Sequence, residues 1–309
     1  LSQQYGGKKI LVICNTVKSA VSIYRQLVNR MGGQQVRLLH GCFTKTDRAL
    51  KEEQISEMGK KDNTECGVWV ATQIVEASLD LDFDLLFTEL SDLNGLFQRM
   101  GRCYRHRTLD LAYNCFVFTG GNKRCSGVGA FIDKEILRLS KEALLDIDGV
   151  IGEAQKVAMV RALYTKEKLP AYYAAIREDI RYVQSITEYE LNRQQVIKRF
   201  RNIDTVSVIP RSVYDKHEVE IQEAVKNLKE DYHGVDKKVA KASRARARSK
   251  IAAQTVDISA YLARNLEMNF IKINDYERLT IVECEYNSDE GLIKPALRST
   301  GEDFLSHSF

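Results

Sequence analysis

The run Gln98-Arg-Met-Gly-Arg-Cys-Tyr-Arg105 is the part of the sequence whose residue types and spacing point most directly to chemistry. Arg102 and Arg105 lie three positions apart, so that on one helical turn both guanidinium groups would point the same way. Two such groups aimed at one point suit the charge that develops on a transferred phosphoryl group. Gly101 would allow close backbone packing or an unusual turn just before them. The plainer alternative is an arginine-rich helix in solvent.

Acidic, histidine and cysteine side chains elsewhere do not form a recognisable metal site. Asp80, Asp82 and Asp84 alternate, but Leu85 and Ser91 occupy the positions where the calcium loop requires Gly and Glu. We therefore expect Asp82 and Asp84 to shape the loop before a strand. The five histidines show neither H-E-x-x-H nor a His-Asp pair, and the seven cysteines contain no C-x-x-C. The sequence predicts no metal centre.

A basic run covers residues 237–250, which hold seven basic side chains and no acidic one. Arg244, Arg246 and Arg248 alternate with alanine, which spreads them over more than one side of a helix or places them on one face of an extended chain. The run is either a strip that contacts nucleic-acid phosphates or a solvated, disordered linker. No aromatic residues are interleaved with it, so base stacking is not indicated there.

Short apolar runs separated by helical patterns predict the elements that position these residues. The predicted strands cover residues 10–14, 36–39, 67–71, 85–87 and 114–119. Strands that alternate with helices imply a parallel sheet wound on both faces, which is an α/β fold.

Beyond this sheet the pattern changes twice. Residues 131–204 carry apolar side chains at helical spacing and predict a helical connector. The remainder predicts a small mixed α/β accessory domain, with a strand at 206–210, a charged helical segment over 215–250 and a strand at 280–286. We therefore expect three domains, covering residues 1–130, 131–204 and 205–309.

Composition indicates the class of protein. The 309 residues are 44% hydrophobic and 28% charged, close to the average for soluble proteins. No stretch approaches the ~18 uncharged apolar residues of a membrane span, and no basic-then-apolar leader opens the chain. We therefore expect a cytoplasmic protein, a setting that also fits an odd number of cysteines. Leu1 rather than Met at the start suggests that the chain was cut from a longer one.

The arginine run resembles motif VI of superfamily 2 helicases, Q-R-x-G-R-x-x-R, which belongs to the second of their two RecA-like lobes. Val70–Asp80 resembles motif V of the same proteins. Residues 10–16 resemble motif IV, and residues 39–41 with Arg48 resemble the segment that follows it. Order and spacing agree over residues 8–119, so the resemblance implies a RecA-like second lobe.

More narrowly, residues 71–84 and 96–105 resemble the CRISPR-associated helicase-nuclease of type I systems. That family has Asp-x-Asp-Phe-Asp after motif V and a residue other than Gly before the Leu-Asp pair, here Ser78. Residues 200–293 resemble its C-terminal domain. The resemblance implies an ATP-dependent, single-stranded DNA helicase-nuclease that unwinds and degrades foreign DNA in antiviral defence.

The resemblance also implies nucleotide-binding roles for matching residues. Arg102 and Arg105 would be catalytic and contact the ATP γ-phosphate from across the cleft between the lobes. Asp80 would hold the ribose or bridge to motif VI, and Gln98 would tie nucleotide binding to lobe closure. Arg99 is ambiguous, with an ion pair to Asp80 as one alternative.

Nucleic-acid contacts are implied at a second set of positions. Thr72 would lie near the nucleic-acid backbone, and the turn at His40 and Gly41 would present backbone amides to a phosphate. The arginines of the basic run, Arg244, Arg246 and Arg248, would add phosphate contacts if that run is a binding strip.

Parts of a complete motor are missing from the sequence. No G-x-x-x-x-G-K-[ST] occurs, so ATP and Mg would be held mainly by a first lobe outside this chain. The expected partners are that lobe, the family's His-Asp nuclease domain, single-stranded DNA and a CRISPR surveillance complex with its guide RNA, and no membrane. Two alternatives stay open: the second lobe of another superfamily 2 DNA or RNA helicase, and a non-catalytic module that binds nucleic acid or the surveillance complex.

Overall fold

The computed structural model describes residues 6–76, 79–105, 107, 113–121, 124–185, 205–230, 232 and 236–293. The chain divides into two compact units. Unit 1 consists of Leu1–Leu38, Gln54–Ile203 and Asp303–Phe309, and unit 2 of Leu39–Glu53 and Asp204–Glu302. The sequence predicted three domains that are continuous along the chain, whereas each of these units combines separate segments. The three-domain division stays a prediction.

Unit 1 is built on a five-stranded sheet that confirms the predicted α/β fold. Its strands are β1 (Lys9–Ile13), β2 (Val36–Leu39), β3 (Gly67–Ala71), β4 (Leu85–Glu89) and β5 (Cys115–Phe118). The order is β2-β3-β1-β4-β5, and β1 pairs in parallel with both β3 and β4, as β4 does with β5. The central strands are almost continuously apolar because both faces of a parallel sheet are covered.

Helices α1 (Val17–Met31), α2 (Lys45–Met58) and α3 (Leu93–Met100) follow strands β1, β2 and β4. Local sequence fixes where two of them begin. Thr16 accepts a hydrogen bond from the Ser19 amide at the start of α1, and Asp92 accepts one from the Gly95 amide at the start of α3. These are N-cap contacts, which satisfy amides that a helix leaves without a partner.

Three further helices, α4 (Lys134–Leu144), α5 (Glu153–Leu163) and α6 (Pro170–Ser185), make up the described part of the predicted connector. Asp133 caps α4 through the amides of Glu135 and Ile136. Leu163 and Leu169 pack with Leu93 of α3, which joins the connector to the helix in which the arginine run begins.

Unit 2 contains the predicted mixed sheet. Its strands β6 (Thr205–Pro210), β7 (Val256–Ser259), β8 (Met268–Lys272) and β9 (Arg278–Val282) lie in the order β7-β6-β9-β8, with only the β6–β9 pair parallel. Strands β10 (Glu285–Asn287) and β11 (Gly291–Ile293) form an antiparallel hairpin. The single strand expected over 280–286 is therefore two strands, β9 and β10.

The charged helical segment expected over residues 215–250 was also wrong as one element. It comprises parts of α7 (Arg211–Lys216) and α9 (Lys237–Ala253) and the whole of α8 (Glu218–Lys229). A further helix, α10 (Ala260–Arg264), follows β7. His217 leaves helical geometry at φ −116° and ψ 19°, and Asp236 starts α9 by accepting the Lys238 and Val239 amides. No helix in the described part of the chain is long and apolar enough to cross a membrane.

Candidate functional site

Thr72 and Arg99 lie at the carboxyl ends of the central strands of unit 1. The segment from Arg102 to Arg105 instead pairs with Phe83, just before the start of β4. Strand β1 lies between β3 and β4, and all three run in the same direction. Asn15, Thr72 and Leu90 therefore follow the strands at one edge of the sheet. In open α/β sheets this edge is where ligands bind.

Arg99 is the anchor of this edge. Its side chain is fully buried, and its Nε lies 2.7 Å from Oε1 of Glu76. Its NH1 donates to Asn15 Oδ1, Thr88 Oγ1 and the Glu89 carbonyl at 3.0, 2.9 and 2.6 Å. Burial raises the pKa of Glu76, and Arg99 opposes that shift. The alternative of an ion pair with Asp80 is wrong, because the carboxylate that reaches Arg99 is that of Glu76.

Arg102 and Arg105 do not share a helical turn, so that part of the prediction was wrong. Helix α3 ends at Met100, and beyond it Cys103 forms a parallel bridge with Phe83. The Phe83 amide donates to the Arg102 carbonyl at 2.9 Å, and the Tyr104 amide donates to the Phe83 carbonyl at 3.1 Å. Pairing with the segment before β4 thus replaces the helix that residue spacing alone suggested.

The two guanidinium groups have different surroundings. Arg102 donates from NH1 to the Leu79 carbonyl at 2.6 Å and from NH2 to the Glu76 carbonyl. Burial and then the nearby charge of Arg105 lower its pKa. Arg105 NH1 lies 2.6 Å from Oδ1 of Asp80, and both side chains are exposed, at 42% and 80%. Two roles were implied for Asp80, holding the ribose and bridging to motif VI. This ion pair resembles the bridge to motif VI.

Sequence reasoning missed Arg107. Its guanidinium contacts Asp82 Oδ2 at 2.8 Å and Asp84 Oδ1 at 2.6 Å, and both carboxylates are buried. Asp84 also accepts the Lys9 amide through Oδ2 at 2.7 Å. Asp82 and Asp84 do shape the loop before a strand, as expected. The signal for Arg107 was in the sequence, since two acids beside a buried strand need a cationic partner.

Gln98 and Thr72 occupy contrasting positions. Gln98 is exposed on α3, one residue before the buried Arg99. Thr72 is buried, follows β3 and precedes a short 3₁₀ turn at Gln73–Val75, without a capping bond from its hydroxyl. In the described residues, no group of three or more His, Cys, Asp or Glu side chains is arranged to hold a metal ion.

His40 and Gly41 belong to unit 2, where the His40 side chain has a structural role. Its ring is fully buried and stacks on Phe43 with ring centroids 4.5 Å apart. Nδ1 accepts the Cys42 amide at 3.1 Å, and Nε2 lies 3.0 Å from the Glu290 carbonyl. Both ring nitrogens are therefore bonded within the protein, and a phosphate contact at this turn would fall to its backbone amides, as the sequence predicts.

Most amides of this turn that could bind a phosphate are also used within the protein. Besides Cys42, the Thr44 amide donates to the Tyr286 hydroxyl at 3.1 Å and the Lys45 amide to the Thr255 carbonyl at 3.1 Å. A contact between backbone amides of this turn and a nucleic-acid phosphate would therefore have to form close to Gly41, and it stays a prediction.

The basic run is an ordered helix, α9, so the alternative of a disordered linker was wrong. One side of it is apolar, with Ala240, Ala247 and Ile251 buried. Arg248 pairs with Glu277, with Nε at 3.1 Å and NH2 at 2.9 Å from its carboxylate oxygens, and Arg244 lies 4.8 Å from the centre of the Tyr232 ring. Arg246 is exposed. Contact of these arginines with phosphates stays a prediction.

The part of unit 1 that contains this edge matches a known family. Residues 6–108 match the family model described as CRISPR-associated nuclease/helicase Cas3, C-terminal. These residues belong to the Cas3 family. The match includes every strand that ends at the candidate site, and it also includes Arg99, Arg102, Arg105 and Arg107.

Curated Cas3 proteins extend the likeness along the chain. The chain is 32% identical over 237 residues to the CRISPR-associated nuclease/helicase Cas3 of Methanothermobacter thermautotrophicus, a match that covers 73% of this chain and 27% of that protein. It is 43% identical over 103 residues to the CRISPR-associated endonuclease/helicase Cas3 of Escherichia coli, covering 32% and 12%. The chain thus spans about a quarter of the length of the first of these relatives.

Solved Cas3 structures share the fold. The crystal structure of T. fusca Cas3-ADP superposes with a TM-score of 0.66 at 18% identity, over 95% of this chain and 40% of that one. A chain of a CRISPR RNA-guided surveillance complex, pre-nicking, gives a TM-score of 0.61 at 17% identity over 92% and 40%. The predicted architecture, a RecA-like sheet followed by helices and a mixed α/β region, is confirmed.

Proposed function

We propose that this chain supplies the second motor lobe and the C-terminal domain of an ATP-dependent, single-stranded DNA helicase-nuclease of the Cas3 type, acting in CRISPR antiviral defence. The observation that carries the proposal is the exposed Arg105, paired with Asp80 within the residues that match the Cas3 family model. Solved structures named Cas3-ATP, Cas3-AMPPNP and Cas3-ADP support a nucleotide as the ligand.

Arg105 is the residue best suited to contact the γ-phosphate. Its partner Asp80 is 80% exposed, and an ion pair between exposed side chains contributes little stability. A phosphate oxygen can therefore replace the carboxylate at small cost and accept a stronger, charge-assisted hydrogen bond. In this role Arg105 stabilises the charge that develops on the transferred phosphoryl group.

Arg102 acts in the same event from a more enclosed position. Its hydrogen bonds to the carbonyls of Glu76 and Leu79 hold the loop that leads to Asp80. To contact phosphate directly, its guanidinium must exchange at least one of those carbonyls for a phosphate oxygen. Its proposed function is therefore twofold, as a phosphate contact and as a tie between motifs V and VI. Gln98, exposed one residue before Arg99, is proposed to sense lobe closure.

The remaining parts of the motor are proposed to lie outside this chain. Its sequence has no P-loop, so ATP and Mg would be held mainly by a first lobe, and Arg102 and Arg105 would complete the site from the opposite side. The nuclease would be a separate His-Asp domain. The surveillance complex is proposed as the partner that delivers the DNA, by analogy with the solved complex that shares this fold.

Single-stranded DNA is proposed to contact Thr72 in unit 1 and, as separate contacts, two features of unit 2. One is the turn at Gly41, and the other is the basic side of α9, where Arg246 is exposed. Backbone contacts of this kind neutralise phosphates without reading sequence, which suits a motor that translocates along any DNA.

Arg105→Ala in the full-length helicase that contains this chain tests the proposal. Loss of an arginine finger should lower kcat for ATP hydrolysis by about 10³ or more and leave affinity for single-stranded DNA within about twofold, because the lost interaction forms mainly in the transition state. Arg138→Ala, which removes an equally exposed arginine from ion pairs with Glu135 and Glu142, is the matched control and should leave kcat unchanged. A tenfold loss or less, with an equal loss of DNA affinity, would overturn the assignment.

A further inference from the structure

The loop that carries Arg102 and Arg105 is fastened along its length to the segment before β4. Backbone hydrogen bonds join Phe83 to Arg102 and Tyr104, and the bridge between Phe83 and Cys103 lies between them. The Asp82 amide in turn donates to the Gly59 carbonyl at 3.0 Å. The loop is therefore held by residues 82–84 as well as by the end of α3, where the Arg99 and Met100 carbonyls accept the amides of Arg102 and Cys103 at 3.0 and 3.1 Å.

Asp82 connects residues 82–84 to Arg105 through its side chain. Its Oδ1 accepts the Arg105 backbone amide at 3.0 Å and, from the other side, NH2 of Arg107 at 3.1 Å. Its Oδ2 accepts Nε of Arg107 at 2.8 Å. One buried carboxylate thus joins the backbone of Arg105 to the side chain of Arg107.

Arg107 makes this arrangement electrostatically possible. It bridges Asp82 and Asp84, and its NH2 also donates to the Phe83 carbonyl at 3.0 Å. Desolvation disfavours its charge, but the hydrogen bonds to the two carboxylates outweigh that cost and raise its pKa. Without a cation between them, two buried carboxylates two residues apart repel each other, and the geometry of Asp82 is no longer fixed.

Tyr104 directs the chain between these points. It has φ +49°, a left-handed conformation that is costly for a residue other than glycine. The Arg107 guanidinium lies 4.6 Å from the centre of the Tyr104 ring, so a cation–π contact helps to hold the turn. The turn places the Arg105 side chain at the surface, where it meets Asp80.

We propose that Arg107 is a positioning residue for Arg105: by bridging Asp82 and Asp84 and packing on Tyr104, it fixes the backbone from which Arg105 reaches the phosphate. The inference rests on the function proposed above for Arg105. Arg107 does not touch the nucleotide. It acts on the transition state only through the placement of its neighbour, and a displacement of an ångström at a catalytic group is costly.

The test is a double-variant cycle in the full-length helicase, with kcat and KM for ATP measured in the presence of single-stranded DNA. Arg107→Gln should lower kcat by about tenfold to a hundredfold and change KM by less than about threefold, because it misplaces a group that acts in the transition state. In an Arg105→Ala background, adding Arg107→Gln should lower kcat by less than about threefold. The reason is that Arg107 acts by placing the Arg105 side chain, which that background lacks.

Two variants keep the test decisive. Arg107→Lys retains the charge between the carboxylates but loses the fork of the guanidinium. It should fold and give a kcat between those of the wild type and Arg107→Gln. It therefore serves as the test if Arg107→Gln does not fold. Arg211→Gln is the control. It breaks an ion pair between an arginine and an acidic residue, Glu283, far from Arg107 in the sequence, and it should leave kcat unchanged.

The outcomes separate the inference from the function on which it rests. If Arg105→Ala leaves kcat within tenfold, the proposed function fails. If Arg105→Ala lowers kcat by 10³ while the Arg107 variants keep wild-type kcat, or lower it equally in both backgrounds, the positioning role is overturned and the proposed function stands.

Discussion

At the scale of single residues, the neighbouring arginines of one short run do different work. Arg99 is fully buried among four acceptors, Arg102 is bonded to backbone carbonyls, and Arg105 is exposed beside Asp80. A guanidinium has five donors in a fixed fork, so its environment decides whether it holds the fold or meets a ligand. The first role belongs to Arg99, and the second is proposed for Arg105.

Removing Arg99 should destabilise the chain more than removing any exposed arginine. Arg99→Gln leaves the mostly buried carboxylate of Glu76 without its cation, and we expect the free energy of unfolding to fall by about 3–5 kcal/mol. Arg138→Gln, at an exposed helical ion pair, should change it much less, because solvent screens that pair. Urea unfolding of both variants measures the difference. Equal stability of the two would contradict the anchoring role.

The sequence predicted which residue types matter here but not which of them meet. Arg102 and Arg105 were found from their spacing. The partner of Arg99 was not, because Glu76 lies 23 residues away from it, in the loop after β3. Only the strand order, with β1 between β3 and β4, brings these loops to one edge. Spacing along the chain does not contain that information.

At the scale of elements, α9 shows how a basic run can be both structural and available for binding. Ala240, Ala247 and Ile251 recur at helical spacing and are buried. The sequence predicted a helical segment here, but it left open whether the basic run is a strip that contacts phosphates or a linker. The helix leaves Arg246 exposed and gives Arg248 a partner in Glu277.

These two arginines should therefore differ in DNA binding. Arg246→Ala should reduce the slope of log affinity against log salt for single-stranded DNA by about 0.7, the value for one lost phosphate contact. Glu277→Gln should increase DNA affinity, because it releases Arg248 from its ion pair. Arg264→Ala, at an exposed position in α10, removes the same charge elsewhere in the unit and is the control. An identical slope in all variants would show that α9 does not contact phosphate.

At the scale of the whole molecule, unit boundaries were the hardest feature to predict. Residues 39–53 belong to unit 2, although Leu39 is the last residue of β2 and the others follow it directly in the sequence. Contacts such as the 2.5 Å hydrogen bond from Tyr286 to Asp47 join residues 239 positions apart. The alternation of strands and helices was readable from local pattern, whereas contacts of this range depend on the folded chain.

Buried thiols should make the protein sensitive to alkaline pH. Burial of Cys14 and partial burial of Cys115 raise the pKa of both thiols from 9.0 to about 12. Above pH 9 the unfolded chain therefore loses these protons while the folded chain keeps them, so stability falls as pH rises, by about 1.4 kcal/mol per pH unit for each thiol up to about pH 12. The midpoint of thermal unfolding should fall between pH 9 and 11. In Cys14→Ala it should fall less steeply, with each protein compared with its own midpoint at pH 8. A parallel drop in the variant would contradict this origin.

The central claim is that this chain provides one half of an ATPase site, and the most direct measurement is DNA-stimulated ATP hydrolysis by separated halves. We expect no turnover by the purified chain, and turnover when a polypeptide carrying the P-loop lobe of the same helicase is added. Arg105→Ala in the chain should abolish the activity of the mixture, because positioned charge is most of phosphoryl-transfer catalysis. Robust ATP turnover by the chain alone, lost in the same variant, would contradict the account.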